Sequence, residues 1–394
     1  MDKLPKGWEK VSLSEICTIL GGGTPKTSVK DYWNGDIIWL SPTDLPEIGT
    51  ISKISSSNKR ITKLGLDKSS AKLLPKGSVV FSSRASIGKI GIAEIELTTN
   101  QGFTNFICSE KINNHYLCYV LKRNIAEISS LSNSTTFAEV NKSSIKSFKI
   151  SLPPLHEQKR IVSKLDALFE RIDKSIALLE ENITQTELLV ASSLDRIFDD
   201  LSKKYSEKPL LQHVDFIGGS QPPKTKFSDV QKEGFVRLIQ IRDYKSDNHI
   251  VYINEKSTKK FCKADDVMIG RYGPPVFQIL RGLEGAYNVA LMKAVPDEKV
   301  VKKDFLFYFL QNSKIQNFII SISQRSAGQS GVNKKALEQY DIVIPPLNVQ
   351  DIAITKIKDL QDKLSKLQKE QQDKLKNLKA LKESILDKAF KGEL

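Results

Sequence analysis

The chain has 394 residues, 27% of them charged and 40% apolar, and a net charge of +14. That length predicts two or three domains, and the basic surplus points to a polyanionic partner, nucleic acid foremost. Four scattered cysteines without a CxxC pair favour neither a zinc site nor a disulfide framework, and no run of about eighteen apolar residues is present to span a membrane.

The opening segment, Met1-Asp2-Lys3-Leu4-Pro5-Lys6-Gly7-Trp8, has no apolar signal core. Together with cysteine usage suited to a reducing compartment, this predicts a cytoplasmic protein. Residues 1–150 read as a mixed domain rich in strands and turns. Gly21-Gly22-Gly23-Thr24-Pro25 is a turn signal. Ile37-Ile38-Trp39-Leu40 reads as a buried strand stopped by Ser41-Pro42, and Ser78 to Phe81 and Ile90 to Ala93 as further strands. From His115 to Leu131 the apolar spacing changes to three and four residues, one face of a single helix.

From Pro153 the pattern is purely helical, with the two prolines expected in the first turn. Leu165, Leu168, Ile172, Leu179, Ile183 and Val190 carry a seam that no proline or glycine interrupts before Asp200. Some 45 residues of helix rise roughly 65–70 Å, and a seam of that length predicts a coiled-coil partner.

Residues 205–342 replay the first domain, and 343–394 replay the long helix. Leu152-Pro153-Pro154-Leu155-His156-Glu157-Gln158 returns as Ile344-Pro345-Pro346-Leu347-Asn348-Val349-Gln350, an offset of 192 residues from Leu155 to Leu347. The same offset relates Val140-Asn141-Lys142 to Val332-Asn333-Lys334, and an ungapped offset over about sixty residues means duplicated structure. Ile357, Leu360, Leu364, Leu367, Leu375 and Leu378 form the second seam, with Gln371 a polar interruption where the first copy has Leu179. Such a residue can fix register at some cost in stability.

The predicted architecture is therefore α+β. Two mixed α/β globules (1–150 and 205–342) alternate with two long helices (151–204 and 343–394). The helices pair antiparallel, giving an internal pseudo-two-fold repeat with the globules at opposite ends of a rod. Such an arrangement presents two similar surfaces to a duplex.

Catalytic motifs fall short. Gly21 to Thr27 lacks the Gly-Lys-Ser/Thr ending of a phosphate-binding loop, and Pro25 removes a donor. Glu157-Gln158-Lys159 matches half of a nuclease metal site, but its second copy, Val349-Gln350-Asp351, does not keep the pattern. His156-Glu157 has no second histidine four residues on. No Asn/Asp-Pro-Pro-aromatic segment of the amino-methyltransferase kind occurs. The expectation is a chain with no catalytic centre and no metal of its own.

Candidate DNA contacts are basic and amide side chains in predicted loops: Lys26, Arg60, Arg84, Lys89 and Gln101 in the first globule, and Lys224, Lys226, Arg237, Gln240, Arg242, Arg271 and Arg281 in the second. Lysines neutralise phosphates, whereas Arg and Gln can also read base edges. Positions shared by the halves, such as Arg84 with Arg271 or Asn100 with Asn288, cannot make the halves read different sequences. Discrimination is expected in loops where the globules differ: Ser52 to Leu66, Ser82 to Lys89 and Asp243 to Lys260. A competing reading is a non-enzymatic coiled-coil scaffold with two protein-binding globules, and a third is a self-sufficient nuclease.

The chain resembles the specificity subunit of Type I restriction-modification enzymes over essentially its whole length. The resemblance rests on Pro5-Lys6-Gly7-Trp8 leading into Val11-Ser12-Leu13, on Ser83-Arg84-Ala85-Ser86-Ile87-Gly88, on Asn100-Gln101-Gly102-Phe103, and on the doubled Pro-Pro-Leu-x-x-Gln before each long helix. The second half departs at Arg271-Tyr272-Gly273-Pro274-Pro275 and Asn288-Val289-Ala290. The resemblance implies two target-recognition domains, each reading half of a split site in double-stranded DNA, and helices that set the spacer and dock two methyltransferase subunits. Restriction/translocase subunits would join them. S-adenosylmethionine, ATP and Mg would belong to those partners, with no cofactor in this chain.

Overall fold

The computed structural model describes residues 4–132, 138–323 and 331–394, the Val190 side chain excepted. Two compact units emerge, one from residues 1–179 with 373–394 and the other from 180–372, so each long helix contributes to both.

The first unit is built on a five-stranded sheet with the spatial order Cys17–Gly21, Phe103–Cys108, Val79–Ser82, Ile90–Ala93, Ile51–Ile54. All neighbours run antiparallel except the last pair. A smaller sheet of Lys59–Ile61, Trp33–Leu40 and Leu97–Thr99 stands beside it, and Glu9–Ser12 pairs with Lys149–Leu152 to close the domain. The second unit repeats the plan. Val214–Gly218, Leu291–Pro296, Val267–Gly270 and Gln278–Leu280 form an antiparallel sheet in the order of the first four strands above. Glu207–Pro209 with Asp341–Val343 is the second closing pair. In both units a strand of the smaller sheet pairs in parallel with a later one, Trp33–Leu40 with Leu97–Thr99 and Phe235–Ile239 with Gly285–Tyr287.

Three expectations need correction. The segment from His115 to Leu131 is two helices, Asn114–Arg123 and Ile125–Ser130, parted at Asn124, whose side-chain amide donates to the Val120 carbonyl at 2.7 Å. Its second copy is likewise split into Lys303–Phe309 and Ser313–Ser323. Two of the expected loops are structured: Ser52 to Leu66 holds strand Lys59–Ile61 and enters helix Lys63–Asp67, and Asp243 to Lys260 holds strand Tyr252–Asn254. The paired prolines precede the long helices rather than opening them, the helices running over Leu155–Ser202 and Leu347–Lys391. Pro154 and Pro346 still serve the helix, because their carbonyls accept the first amide bonds, from Gln158 and Gln350 at 3.0 Å.

The repeated glutamine has a structural reason. Gln158 is fully buried; its amide nitrogen donates to the carbonyls of Lys111 and Pro153, and its oxygen accepts from the Asn113 amide. Gln350 does the same with Val300, Pro345 and Lys302. Each glutamine thus ties the start of a long helix to the turn before the helix that packs on it. The duplicated motif is a clamp.

Within the first unit the two helical segments run antiparallel: Asp173 meets Lys382 at 2.5 Å, and Arg160 bonds the Leu394 carbonyl at 2.7 Å. Ile161, Leu165, Phe169 and Ile172 share one core with Leu386, Ala389 and the domain's own Tyr116 and Leu117. In the second unit Leu194 and Phe198 join Ala353, Ile354 and Ile357 in the equivalent core. Leu165, Ile172, Ile357 and Leu364 are buried, and Leu168, Leu179, Ile183, Leu360, Leu375 and Leu378 half-buried. Leu367 is the exception at 41% exposure. The seam passes instead through half-buried Gln368 and buried Gln371, and the Gln371 amide donates to Thr186 Oγ1 at 3.2 Å.

Candidate nucleic-acid interface

Four separate segments of the first unit meet at one edge of its main sheet. The glycine turn is held by the Gly22 amide on the Phe103 carbonyl and the Gly23 amide on the Thr99 carbonyl, at 3.4 and 2.8 Å. Trp39 Nε1 donates to the Gly23 carbonyl at 2.9 Å. Any Cβ at Gly22 would collide with the Asn100 carbonyl, so only glycine permits the approach. Ser83 and Gly102 are joined backbone to backbone at 2.9 Å, and Val140 joins Ser83 at 2.9 Å. The Asn100 side chain accepts from the Gly102 amide at 2.9 Å, an Asx turn that shapes the loop. Ala85 is left-handed, with φ of 61°. This turn leaves the neighbouring Arg84 exposed, 3.5 Å from exposed Glu139.

The second unit assembles the same parts. The Gly219 amide bonds the Leu291 carbonyl at 3.0 Å, and its bare Cα faces the Asn288 carbonyl where a Cβ would collide. Arg271 bonds Ala290 and Val332 through its backbone, at 2.8 and 3.0 Å. Its guanidinium lies 5.2 Å from the Tyr272 ring and donates to the Val289 carbonyl at 3.3 Å. Asn288 Oδ1 accepts from the Ala290 amide at 3.1 Å. The shared asparagines are thus turn-formers, while the shared arginines stand at the edge where the loops gather.

The sequence candidates divide on this geometry. Lys26, Arg84 and Gln101 lie on the first unit's gathered loops and are exposed, Gln101 accepting from the Thr24 hydroxyl. Lys224 and Lys226 are exposed on a short helical turn after the second glycine turn. Arg60 is exposed but lies on the smaller sheet, paired with Ile38. Lys89 does not present its charge, because its ammonium donates to the Pro42 and Leu45 carbonyls at 2.8 and 2.9 Å. Arg237 is committed to Asp247 at 2.8 Å, with buried Asp243 beside it at 3.8 Å. Desolvation raises the Asp243 carboxyl above its usual range against the pull of the Gln240 amide and the nearby arginines. Gln240 uses its backbone amide to bond Asp243 at 3.0 Å, and exposed Arg242 reaches the His249 carbonyl at 3.4 Å. Arg281 lies over the Phe307 ring at 3.9 Å and pairs with Asp304 at 2.8 Å, a bracing role.

Lys142 was not among the candidates, yet its ammonium lies beside Gly21 at this edge. Its signal was the repeated Val-Asn-Lys tripeptide, which marks the duplication before it marks the site. Its counterpart Lys334 pairs with Glu338 at 3.3 Å. Among the described residues no cluster of three His, Cys, Asp or Glu side chains is placed to hold a metal ion, and no helix is long and apolar enough to cross a membrane.

The chain matches the family model described as Type I restriction modification DNA specificity domain over residues 5–185 and 214–377. It is 27% identical to the Type I restriction enzyme MjaIX specificity subunit of Methanocaldococcus jannaschii, covering 100% of this chain and 94% of that one. It is 23% identical to the EcoKI specificity subunit of Escherichia coli, covering 100% and 90%. A chain from a structural study of complex assembly and conformational transition of the type I R-M system superposes with a TM-score of 0.83 at 23% identity, over 100% of both chains. The HsdS subunit from Thermoanaerobacter tengcongensis does so at 0.63 and 22%, over 100% of this chain and 98% of that one. The two family matches fall one on each copy of the internal repeat, and the chain belongs to the Type I restriction-modification DNA specificity family.

Proposed function

We propose that this chain is the DNA-recognition subunit of a Type I restriction-modification complex, reading a split target with one unit per half-site. The observation that carries the reading is the double construction of one loop-gathering edge, with glycine turn, asparagine turn and arginine repeated, on a chain with net charge +14. The repeated features serve position: Asn100 and Asn288 shape loops, and Arg84 and Arg271 meet phosphate. Lys26, Lys142, Lys224 and Lys226 add sequence-independent affinity through counterion release. Base reading falls to residues that differ between the units, Gln101 first, since an amide can bond adenine bidentately.

The long helices dock two methyltransferase subunits and set the spacer between half-sites, and restriction/translocase subunits complete the complex in the cytoplasm. Methylation with S-adenosylmethionine and ATP- and Mg-dependent cleavage belong to those partners, and this chain contributes no catalytic group. The test is an exchange of residues 205–342 for the corresponding region of another family member. One half of the recognised sequence changes and the other stays. A change in both halves, or in neither, contradicts the assignment of one reader to each unit.

A further inference from the structure

Cys17 and Cys108 face each other on neighbouring antiparallel strands of the first unit. The Ser109 amide bonds the Ile16 carbonyl at 2.9 Å. Ile16 and Ser109 are therefore a hydrogen-bonded pair, and the next pair along, Cys17 with Cys108, is a non-hydrogen-bonded one. In such a pair the Cα atoms lie about 4.5 Å apart, closer than in the alternate pairs, and both side chains leave the same face of the sheet. A disulfide accepts Cα separations of about 4.4–6.8 Å, so the strands already stand at bonding distance.

The two thiols differ in surroundings. Cys17 is buried, and contact with Cys108 together with burial pushes its thiol well up, which keeps it protonated. Cys108 is half-buried and lines a cavity of about 410 Å³, with Lys76 and Lys159 also on its wall. A small oxidant can enter there.

We propose that Cys108 and Cys17 form a reversible cross-strand disulfide, Cys108 meeting a peroxide-class oxidant and Cys17 resolving the product. Cys108 Sγ attacks one peroxide oxygen, the O–O bond breaks, and the leaving hydroxide takes the Cys108 thiol proton to depart as water. The sulfur is then a sulfenic acid. Cys17 Sγ attacks that sulfur, the S–S bond forms, and the departing hydroxide takes the Cys17 proton as a second water. Two electrons pass from the thiol pair to the peroxide. At their other ends the two strands lead into the turn at Gly22 and Gly23 and the loop at Asn100 to Gly102. The bond therefore locks the ladder that carries the candidate interface. It does not depend on the functional reading above.

The experiment treats the full-length chain with hydrogen peroxide, alkylates free thiols and digests without reductant. The expected product is a Cys17–Cys108 linked peptide that dithiothreitol removes, with a rise in Tm of several degrees on oxidation. In Cys17→Ser the Cys108 sulfenic acid persists and is captured by dimedone. Fully buried Cys118 is the competing thiol. A Cys108–Cys118 link overturns the proposal, as does over-oxidised Cys108 beside a free Cys17, or four thiols that all remain alkylatable. The wild-type peptide map decides even where a variant fails to fold.

Discussion

Gln158 makes three hydrogen bonds without touching solvent, and the cost of removing it follows from the groups left behind. Gln158→Ala strands the Asn113 amide and the Lys111 and Pro153 carbonyls. A fall in stability of about 1–3 kcal/mol is expected from a buried unsatisfied group, read as a lower urea midpoint. An unchanged midpoint would mean that the clamp is not what the repeated motif maintains. Exposed Arg84 behaves differently. Arg84→Ala should leave the midpoint in place while the slope of log affinity against log salt falls in magnitude by about 1, the signature of one lost phosphate contact. Asp304 sets a pH dependence. Desolvation pushes its carboxyl up, but bonds to Lys358 and Arg281 and their charges outweigh it and leave the value lowered. A lowered folded-state value contributes stability above the unfolded value of about 3.9 and loses it as pH falls through the folded one. Asp304→Asn should therefore weaken the acid dependence of the urea midpoint below about pH 4. The partners of Lys89 and Arg281 were not legible in the sequence, because Pro42, Leu45 and Asp304 lie far from them in the chain.

At the scale of elements, the long helices are set by burial on one face. Leu165 is fully buried whereas Leu178 is 62% exposed on the same helix. Leu165→Ala should cost about 2–5 kcal/mol, while Leu178→Ala should stay within about 0.5 kcal/mol in the isolated chain. Gln371 carries the opposite sign. Its side-chain oxygen is buried without a partner among the described residues, and Thr186 keeps its own bond to the Asn182 carbonyl when Gln371 is replaced. Gln371→Leu should therefore raise stability by about 1 kcal/mol, and a fall would show that the Gln371–Thr186 bond outweighs the orphaned oxygen. The helices were legible because uninterrupted three- and four-residue spacing has no other solution. Leu367 was misplaced because both three- and four-residue steps fit such a seam, and the polar Gln368 conceals the step taken. The break at Asn124 was hidden because the apolar face continues across it, from Leu121 to Ile125 and Ile128.

For the whole molecule, duplication was legible from one constant offset, and it carried the fold class, the count of similar units and the expectation of two reading surfaces. The candidate site was legible only in part. Its turn glycines and shared arginines stood out as repeats, but Lys142 joins them through tertiary packing alone. If the helices set the spacer, inserting four residues in each adds about 6 Å of helix and lengthens the gap between half-sites, and an unchanged gap removes them from that role. The most direct test of the central claim is a genome-wide map of methylated adenines with the gene present and with it deleted. The account predicts that methylation at one split motif disappears on deletion and that all other motifs stay. Methylation unchanged at every motif, in cells whose partner methyltransferase is expressed and active, would contradict it.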